Sequence, residues 1–334
     1  MKRVVLVVVV IAMIVLVGFG TWYFLKSRKA GSGTTESIAF AAVSDESSAL
    51  ILIAENQGFF IHNGLRVNLR NYGNGVAAIR AMKSDEANIS LSAEFTIITE
   101  AFKKETISIL ACIDKYQPTY IVARKDKGIK KISDFKGKKI GVPHGSISEF
   151  YLGRFLELNS MNIKDVILVD IDPKPPLDKI TNGSIDAVVS RQIVVTPIIK
   201  RLGSNYTSWP VQSGQLTYLV IACKNKWVAG HPETIRKFLK SLREAEDYLI
   251  RHTDEAKAIV QKCLNYDDSY IASVWSHHQF SLSLDQTLIV AMKDEAQWMI
   301  KNKLTSEREI PDFVNYIYID GLKTVKPEAV NIIR

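Results

Sequence analysis

The sequence predicts an α/β protein whose 334 residues form two lobes with a cleft between them. Three observations lead to this prediction. Residues 38–91 alternate between strand and helix patterns, which is typical of a parallel α/β half-domain. About 300 residues follow the N-terminal segment, more than a single hydrophobic core usually holds. The pattern starts again near residue 132, and residues 216–222 then read as a strand that returns to the first lobe.

The first lobe begins with strand, helix, strand, helix and strand in that order. The serines at 47–48 are predicted to cap a helix that Gly58 ends in a left-handed turn. Apolar and polar residues alternate over 65–70, which predicts a strand, and Gly75 opens the next helix. The short apolar run at 89–91 completes the unit as a strand. Small polar residues follow these strands, so the ligand edge is expected at the strand C-termini.

Several of these runs resemble a known family. Gly58-Phe59-Phe60, Gly64-Leu65-Arg66-Val67 and residues 75–89 resemble the signature of solute-binding proteins of ABC importers. The group is the nitrate/sulfonate/taurine and thiamin-pyrimidine-precursor one, and residues 132–146 resemble the start of its second lobe. The resemblance covers residues 38–334. It implies a type II-like periplasmic-binding-protein fold, an extracytoplasmic domain, and a permease and an ATPase supplied by other chains.

The pattern and the resemblance together divide the chain. Lobe 1 is predicted to contain residues 38–123 and 216–334, and lobe 2 to contain residues 124–215. Two connections between the lobes would act as a hinge. Residues 31–37 are rich in Gly, Ser and Thr, as expected of a flexible linker. Residues 1–30 precede it as a membrane anchor with a basic flank.

The N-terminal segment predicts a transmembrane helix. Val4 to Leu25 is an apolar run of 22 residues, long enough to span a bilayer and longer than the core of most signal peptides. We interpret it as an uncleaved anchor, with cleavage after Gly18 or Gly20 as the alternative. Basic residues flank the run on both sides, so the extracytoplasmic orientation rests partly on the resemblance.

Charge argues against nucleic acid as a partner. The net charge is +8, but five basic residues and no acidic ones precede Gly31. The rest of the chain has 38 basic and 35 acidic residues, which is typical of a solvated surface of mixed charge. The three cysteines are far apart and the histidines lack ligand spacing, so no metal or cofactor is predicted.

The predicted ligand contacts follow from the position of the loops in this fold. The resemblance places the strand-to-helix loops of both lobes along the cleft. Helix N-termini there offer free N–H groups and the positive end of the helix dipole. The predicted ligand-binding residues are Asp45, Ser47, Ser48, Ser92, Glu94, Phe95, Tyr116, Gly145, Ser146, Arg191, Gln192 and Gln215.

Several of these residues also have a purely structural interpretation. Ser146 and Glu149 have the spacing of a capping box, which explains both without a ligand. Glu94 suits the first turn of a helix, and the serines at 47–48 suit a helix cap.

The charge of the ligand stays open at this level. Asp45, Glu46 and Glu94 suit a cationic or nitrogen-heterocyclic group, with Phe95 as a stacking face. Arg191 stands where many members of the group differ, and it suits a carboxylate, sulfonate or phosphate. A zwitterion or a carboxylated heterocycle would satisfy both sets of residues.

The leading functional hypothesis is a membrane-tethered solute-binding protein without catalytic residues. No phosphate-binding G-x-x-x-x-G-K-[ST] loop is present, so an ATPase has to be a separate partner. One alternative is a ligand-sensing module for a membrane signalling partner. A thiamin-pyrimidine-synthase-like enzyme is a further alternative, although that chemistry is associated with a cysteine cluster and a metal.

Overall fold

The computed structural model describes residues 35–171, 176–212 and 214–333. A six-stranded mixed sheet forms the centre of the first lobe, in the order β11-β4-β10-β3-β1-β2. β1 and β3 are parallel, whereas β10 is antiparallel to both β3 and β4. The strands are β1 (Glu36–Val43), β2 (Leu65–Tyr72), β3 (Ile89–Ala93), β4 (Ile107–Tyr116), β10 (Thr217–Lys224) and β11 (His278–Ser283).

A five-stranded mixed sheet forms the centre of the second lobe, in the order β7-β6-β8-β5-β9. β6 is parallel to β7 and β8, and β5 is antiparallel to β8 and β9. The strands are β5 (Thr119–Arg124), β6 (Lys139–Val142), β7 (Ile167–Asp170), β8 (Ala187–Arg191) and β9 (Tyr206–Pro210). The predicted two-lobed α/β architecture is therefore confirmed.

Helices cover both sheets, and several of them begin directly after a strand. In the first lobe they are α1 (Ala49–Asn56), α2 (Phe59–His62), α3 (Gly75–Lys83), α4 (Glu94–Phe102), α8 (Asn225–Gly230), α9 (Pro232–Arg251), α10 (Thr253–Leu264), α11 (Asp268–Val274), α12 (Gln286–Lys301) and α13 (Ile319–Val325). In the second lobe they are α5 (Ile147–Leu158), α6 (Pro176–Thr181) and α7 (Gln192–Leu202).

The predicted cap of the first helix needs a correction. Asp45 is the residue that caps the 3₁₀ turn before α1, because its Oδ1 accepts a hydrogen bond of 3.0 Å from the Ser47 backbone N–H. The Ser48 hydroxyl instead donates to the Val43 carbonyl at 2.7 Å. Gly58 has a φ of 72°, which confirms the predicted left-handed turn after α1.

Two crossings connect the lobes. The first is the Gln117–Pro118 step between β4 and β5, and the second spans the residues between β9 and β10. The Gln212 side chain joins the two crossings: Nε2 donates to the Tyr116 carbonyl at 3.1 Å, and Oε1 accepts from the Thr119 N–H at 3.0 Å. This amide fixes the spacing of the two connections.

The structure assigns β5 differently from the predicted domain boundary. That boundary, after Ala123, put these residues in lobe 1, but β5 pairs with β8 and β9 and so belongs to the second sheet. The apolar pattern of a short segment predicts that it is a strand, but it does not show which sheet the strand joins. The other predicted boundary, between residues 215 and 216, falls within the second crossing. Which residues move together as one lobe stays a prediction.

The predicted transmembrane segment, Val4 to Leu25, lies outside the described residues, as does most of the predicted linker. Among the helices that are described, none combines the length and the apolar character that crossing a membrane requires. Cys112 and Cys223 are buried in strands, and Cys263 is exposed.

Candidate functional site: a cavity between the lobes

A cavity of about 350 Å³ lies between the two lobes, at the ends of their strands. Hydroxyl groups, one amide and apolar side chains form most of its wall. Among the described residues that line it, Arg191 is the single charged side chain. The polar lining residues are Ser47, Asn74, Ser92, Thr96, Tyr116, Ser146, Ser148, Ser190 and Arg191.

Five of the described helices begin at this cavity. α3 and α4 come from the first lobe, and α5, α6 and α7 come from the second. Residues of the first turn or the N-cap of each helix line the wall. The first N–H groups of a helix have no partner within the helix, and the helix dipole places partial positive charge there. Together these helix ends favour an acidic group in the cavity.

Gly75 permits the closest approach between α3 and the first sheet. A Cβ atom built at Gly75 would lie 2.9 Å from both Cα and Cβ of Ser92 on β3. Asn74 caps the same helix, since its Oδ1 accepts from the Ala77 N–H at 2.9 Å. The Gly-Asn-Gly run at 73–75 therefore brings the start of α3 against the cavity wall.

Arg191 crosses the cleft to form an ion pair with Asp45. Nη1 of Arg191, at the end of β8, contacts Oδ2 of Asp45, which is 1% exposed on the opposite lobe. The Arg191 guanidinium also lies 6.0 Å from the centre of the Tyr116 ring. Burial acts to lower the pKa of Arg191, but the charge of Asp45 outweighs it and the net effect is a raised pKa.

A second group of charges lies behind Asp45 in the first lobe. His278 Nδ1 is 2.6 Å from Asp114 Oδ2, and its Nε2 is 3.5 Å from Glu46 Oε1. Burial acts to lower the pKa of His278, but the two carboxylates outweigh it and raise that pKa to about 10. Burial also acts to raise the pKa of Glu46, but the hydrogen bond and charge of His278 lower it to about 2. His278 is therefore an imidazolium stacked on Tyr116, with ring centres 5.4 Å apart.

The structure brings five of the predicted contacts together in the cavity wall: Ser47, Ser92, Tyr116, Ser146 and Arg191. They come from five loops and both lobes. Their contact with a ligand stays a prediction.

Other predicted residues have structural partners instead. Ser48 is buried against Val43, and Asp45 reaches the cavity only through Arg191. Gly145 has a φ of 71° and donates its N–H to Glu149 Oε2 at 2.7 Å. Gln192 lines a separate groove between α7 and α11.

Two predicted contacts lie in the interior, and a third, Gln215, is half-buried. Phe95 is fully buried, with its ring centre 5.7 Å from that of Phe150, so it is a core residue and does not offer a free stacking face. Glu94 is also fully buried, and its Oε1 accepts from the Tyr218 N–H at 3.0 Å. Gln215 donates to Glu295 Oε1 at 3.2 Å beside the second crossing.

The capping box predicted for Ser146 and Glu149 does not form. The Ser146 hydroxyl donates to the Pro143 carbonyl at 2.6 Å, and Glu149 accepts from Gly145 instead of Ser146. The Ser146 side chain therefore does not cap α5, and its hydroxyl accepts no hydrogen bond from the first-turn N–H groups of that helix.

Sequence reasoning missed four polar lining residues, Asn74, Thr96, Ser148 and Ser190. Each lies one or two positions from a residue that was singled out in the same loop or helix turn. The Asn-Gly start of α3 carried the clearest signal, because an N-cap asparagine faces the same way as the helix end. No cluster of three His, Cys, Asp or Glu side chains suited to a metal occurs in the described part of the chain.

A two-lobed fold with a ligand-sized cavity between the lobes defines the class of periplasmic binding proteins. The NMT1/THI5-like family matches residues 46–256, and the chain belongs to that family. The predicted resemblance is therefore confirmed.

Relatives of this chain carry binding-protein names. A Brucella abortus protein, provisionally named a binding protein, is 24% identical over 226 residues, which are 66% of this chain and 69% of that protein. A Bacillus subtilis protein, provisionally named an aliphatic sulfonates-binding protein, is 21% identical over 82% of this chain and 85% of its own.

The solved structures support the fold. The alkanesulfonate-binding protein SsuA of Xanthomonas axonopodis pv. citri, bound to MOPS, superposes with a TM-score of 0.73 at 12% identity. The match covers 86% of this chain and 99% of that chain.

Proposed function

We propose that this protein is an extracytoplasmic solute-binding protein that captures a small organic acid and delivers it to the permease of an ABC importer. One observation carries the proposal: helices from both lobes begin at one cavity of about 350 Å³ whose charged lining residue is Arg191. A ligand held there would contact both lobes at once. Binding would therefore favour the closed form over an open one.

The cavity wall suits a ligand with an acidic head and a short apolar body. Serine hydroxyls and helix N-termini would accept the head. The apolar part of the wall would cover the rest of the molecule, and it includes Val43, Val76, Ile147, Leu177, Val194 and Leu219. A cavity of this volume is at the small end of ligand sites in proteins. Sulfonates and carboxylates of a few carbon atoms fit these requirements, and the names of the relatives support sulfonates.

The two crossings are the proposed hinge. They are the connections between the two sheets, and Gln212 holds them together at both ends. Rotation about a pair of short connections opens and closes a cleft without disturbing either sheet.

The N-terminal sequence supports a membrane tether. The 22-residue apolar run from Val4 and the Gly/Ser/Thr linker after it suit a domain held at the outer face of the membrane. A tethered receptor would present its ligand to a permease in the same membrane, driven by an ATPase on another chain.

Ligand binding is tested with the full-length protein in detergent. Unfolding temperature and calorimetric titration are measured against C2–C6 alkanesulfonates, aminoalkanesulfonates and the matching carboxylates, and co-purifying molecules are identified by mass spectrometry. We expect saturable stabilisation by at least one acid, of about 2.7 kcal/mol at a hundredfold excess over Kd. A panel without any stabilising compound, together with purified protein free of small molecules, would contradict the proposal.

Delivery to an importer is tested separately. The protein is reconstituted in proteoliposomes with candidate permease and ATPase chains from the same genome. Ligand-dependent ATP hydrolysis and uptake are expected of an importer. Ligand binding without either result would favour a sensing role, and turnover of the bound compound would favour an enzyme.

A further inference from the structure

The basic residues of lobe 2 are concentrated in the segment that connects β5 to β6. Of the 38 basic and 35 acidic residues from Gly31 onward, eight basic and two acidic ones lie at 124–139. This leaves 30 basic and 33 acidic residues in all other parts of the chain after the N-terminal segment. A charge that is nearly balanced overall therefore includes one strongly basic segment.

This basic segment lies at the end of the second sheet that is away from the cavity. β5 begins at Thr119, beside the first crossing, and ends at Arg124. β6 begins at Lys139 and ends at Val142, next to Pro143 in the cavity wall. The connection between Arg124 and Lys139 is therefore at the opposite end of both strands, where a partner would leave the cavity free.

Most of the positive charge in the basic segment has no internal partner. Four of its lysines are exposed and form no ion pair within the described residues: Lys130, Lys131, Lys136 and Lys139. Arg124 pairs with Asp126, and Asp134 accepts hydrogen bonds of 3.0 Å from two backbone N–H groups instead of from lysine side chains. The four lysine charges are therefore available to a partner outside the chain.

Two exposed apolar side chains lie at the same end of lobe 2. Ile167, which is 49% exposed, begins the edge strand β7 and is the register partner of Lys139 on β6. Leu158, which is 65% exposed, ends α5, and that helix begins at the cavity. The Gly137 N–H donates to the Asp165 carbonyl at 2.7 Å, which joins the basic segment to the connection between α5 and β7. Exposed lysines and exposed apolar groups therefore share one surface.

We propose that this surface, residues 124–139 with Leu158 and Ile167, binds an anionic phospholipid membrane; we call it the basic end of lobe 2. The proposal rests on the membrane tether of the proposed function. Lysines are attracted to anionic head groups, and apolar side chains beside them enter the boundary between head groups and acyl chains. The apolar pair distinguishes a lipid surface from dissolved phosphate, which would gain nothing from it.

The tether brings the basic end within reach of the bilayer. β1 begins at Glu36 and ends at Val43 in the cavity wall, so the linker joins lobe 1. Ten residues separate the predicted span from Glu36, and they extend to about 35 Å at most. A domain held this close has a high effective concentration at the membrane, so even a weak attraction would hold lobe 2 there. Attachment of both lobes would fix how the cleft faces a permease.

An environment-sensitive dye at two positions tests the contact in the full-length protein. Cys112 and Cys223 are buried, so the dye labels the exposed Cys263 of lobe 1 in the wild type. Ser133→Cys in a Cys263→Ser background places it in the basic end. The protein is inserted in nanodiscs of phosphatidylcholine, alone or mixed with phosphatidylglycerol. We expect a blue shift and quenching by nitroxide lipids at position 133 with phosphatidylglycerol only, and no change at Cys263.

Two quadruple variants with the same loss of charge separate the basic end from net charge. The first removes its four exposed lysines: Lys130→Ala/Lys131→Ala/Lys136→Ala/Lys139→Ala. The second removes four exposed lysines of lobe 1: Lys226→Ala/Lys262→Ala/Lys293→Ala/Lys323→Ala. Each basic residue near an anionic membrane favours contact by about fivefold, so the first variant should weaken the contact by about a hundredfold or more. The second should change it little, and salt of about 0.5 M should release the wild type.

Several results would overturn the inference. These are equal dye signals with and without phosphatidylglycerol, equal losses of contact in the two variants, and loss of permease-stimulated ATP hydrolysis in the first variant when the wild type shows no lipid contact. The last result would assign the basic end to the permease.

Parallel measurements keep this inference apart from the proposed function. The basic end lies away from the cavity, so the first variant should keep the wild-type Kd for a ligand. Lipid contact by a protein that binds no ligand would contradict the proposed function and support the membrane surface. A protein that does not insert in nanodiscs would contradict the tether. The same dye with preformed phosphatidylglycerol vesicles would then decide the inference, and the absence of contact would overturn it.

Discussion

Glu94 and Glu295 bring two fully buried carboxyl groups into hydrogen-bonding contact beside the second crossing. In each of them Oε2 has no donor among the described residues, so a proton shared between the two carboxyls is the partner that satisfies both. Oε1 of Glu94 accepts from the Tyr218 N–H, and Oε1 of Glu295 accepts from the Gln215 amide. The pair therefore contacts the connection between the lobes directly.

This pair predicts that stability falls as pH rises. Burial raises the pKa of Glu94 to about 8, and burial together with the charge of Glu94 raises the pKa of Glu295 well above its ordinary value. A carboxyl with a raised pKa in the folded state holds its proton there and loses it on unfolding. Its contribution is present below about pH 4.5 and is lost as pH rises through about 8.

We expect Glu295→Gln to flatten this pH dependence, because an amide donates to Glu94 without a titrating proton. The free energy of unfolding is measured by urea denaturation between pH 5 and pH 9. Glu233→Gln, an exposed change, is the control. Parallel profiles for wild-type and Glu295→Gln would contradict the shared proton.

His278 predicts a large loss of stability on substitution. Its imidazolium compensates Asp114 and Glu46, so His278→Asn should leave two buried carboxylates without their cation and cost about 3–5 kcal/mol. Urea denaturation at pH 7 measures the cost. His252→Asn is the control, since His252 is half exposed and lies 4.0 Å from Glu255, where a change within about 0.5 kcal/mol is expected.

The same group predicts a loss of stability in acid. The pKa of Glu46 is lowered to about 2 in the folded protein, from an ordinary 4.5. Its contribution is therefore present above about pH 4.5 and is lost as pH falls toward 2. In Glu46→Gln the decline in unfolding free energy below pH 4.5 should be smaller than in wild-type. An equal decline in both would show that other carboxylates cause it.

The two glycines at the start of α3 make a matched pair. A Cβ at Gly75 would lie 2.9 Å from Ser92, so Gly75→Ala should push α3 away from β3 and alter the cavity wall. A Cβ at Gly73 meets nothing within 4 Å, although Gly73 lines the same cavity. We expect Gly75→Ala to weaken ligand binding by about tenfold or more and Gly73→Ala to change it little. Calorimetry with the tightest compound of the panel measures both, and equal effects would contradict the role of the close approach.

A second glycine pair tests the packing between the lobes. A Cβ at Gly153 on α5 would lie 2.0 Å from Cζ2 of the Trp298 ring on α12. Gly153→Ala should therefore cost about 1–3 kcal/mol through overpacking. Gly230→Ala, at a helix position with no atom within 4 Å, should be neutral or slightly stabilising. Thermal unfolding of both variants provides the comparison, and a neutral Gly153→Ala would show that Trp298 has room to move.

Local patterns determined the order of strands and helices. The alternation over 65–70, the left-handed Gly58 and the glycines before α3 act within a few residues, so they can be recognised without tertiary structure. The same holds for the loops that reach the cavity, since parallel strands direct their C-terminal ends to one edge. The strand β11 was missed, because histidine, serine and glutamine interrupt its apolar residues.

Only the tertiary structure decided what the charged and aromatic loop residues do. Arg191 meets Asp45, His278 meets Asp114, and Glu94 meets Glu295 across separations of more than a hundred residues. Burial and charge pairing set the protonation of such groups, and neither is encoded in the spacing of neighbouring residues. Phe95 shows the same limit: a loop aromatic can line a cavity or enter the core, and the choice depends on whether Phe150 and Trp298 arrive from other helices to cover it.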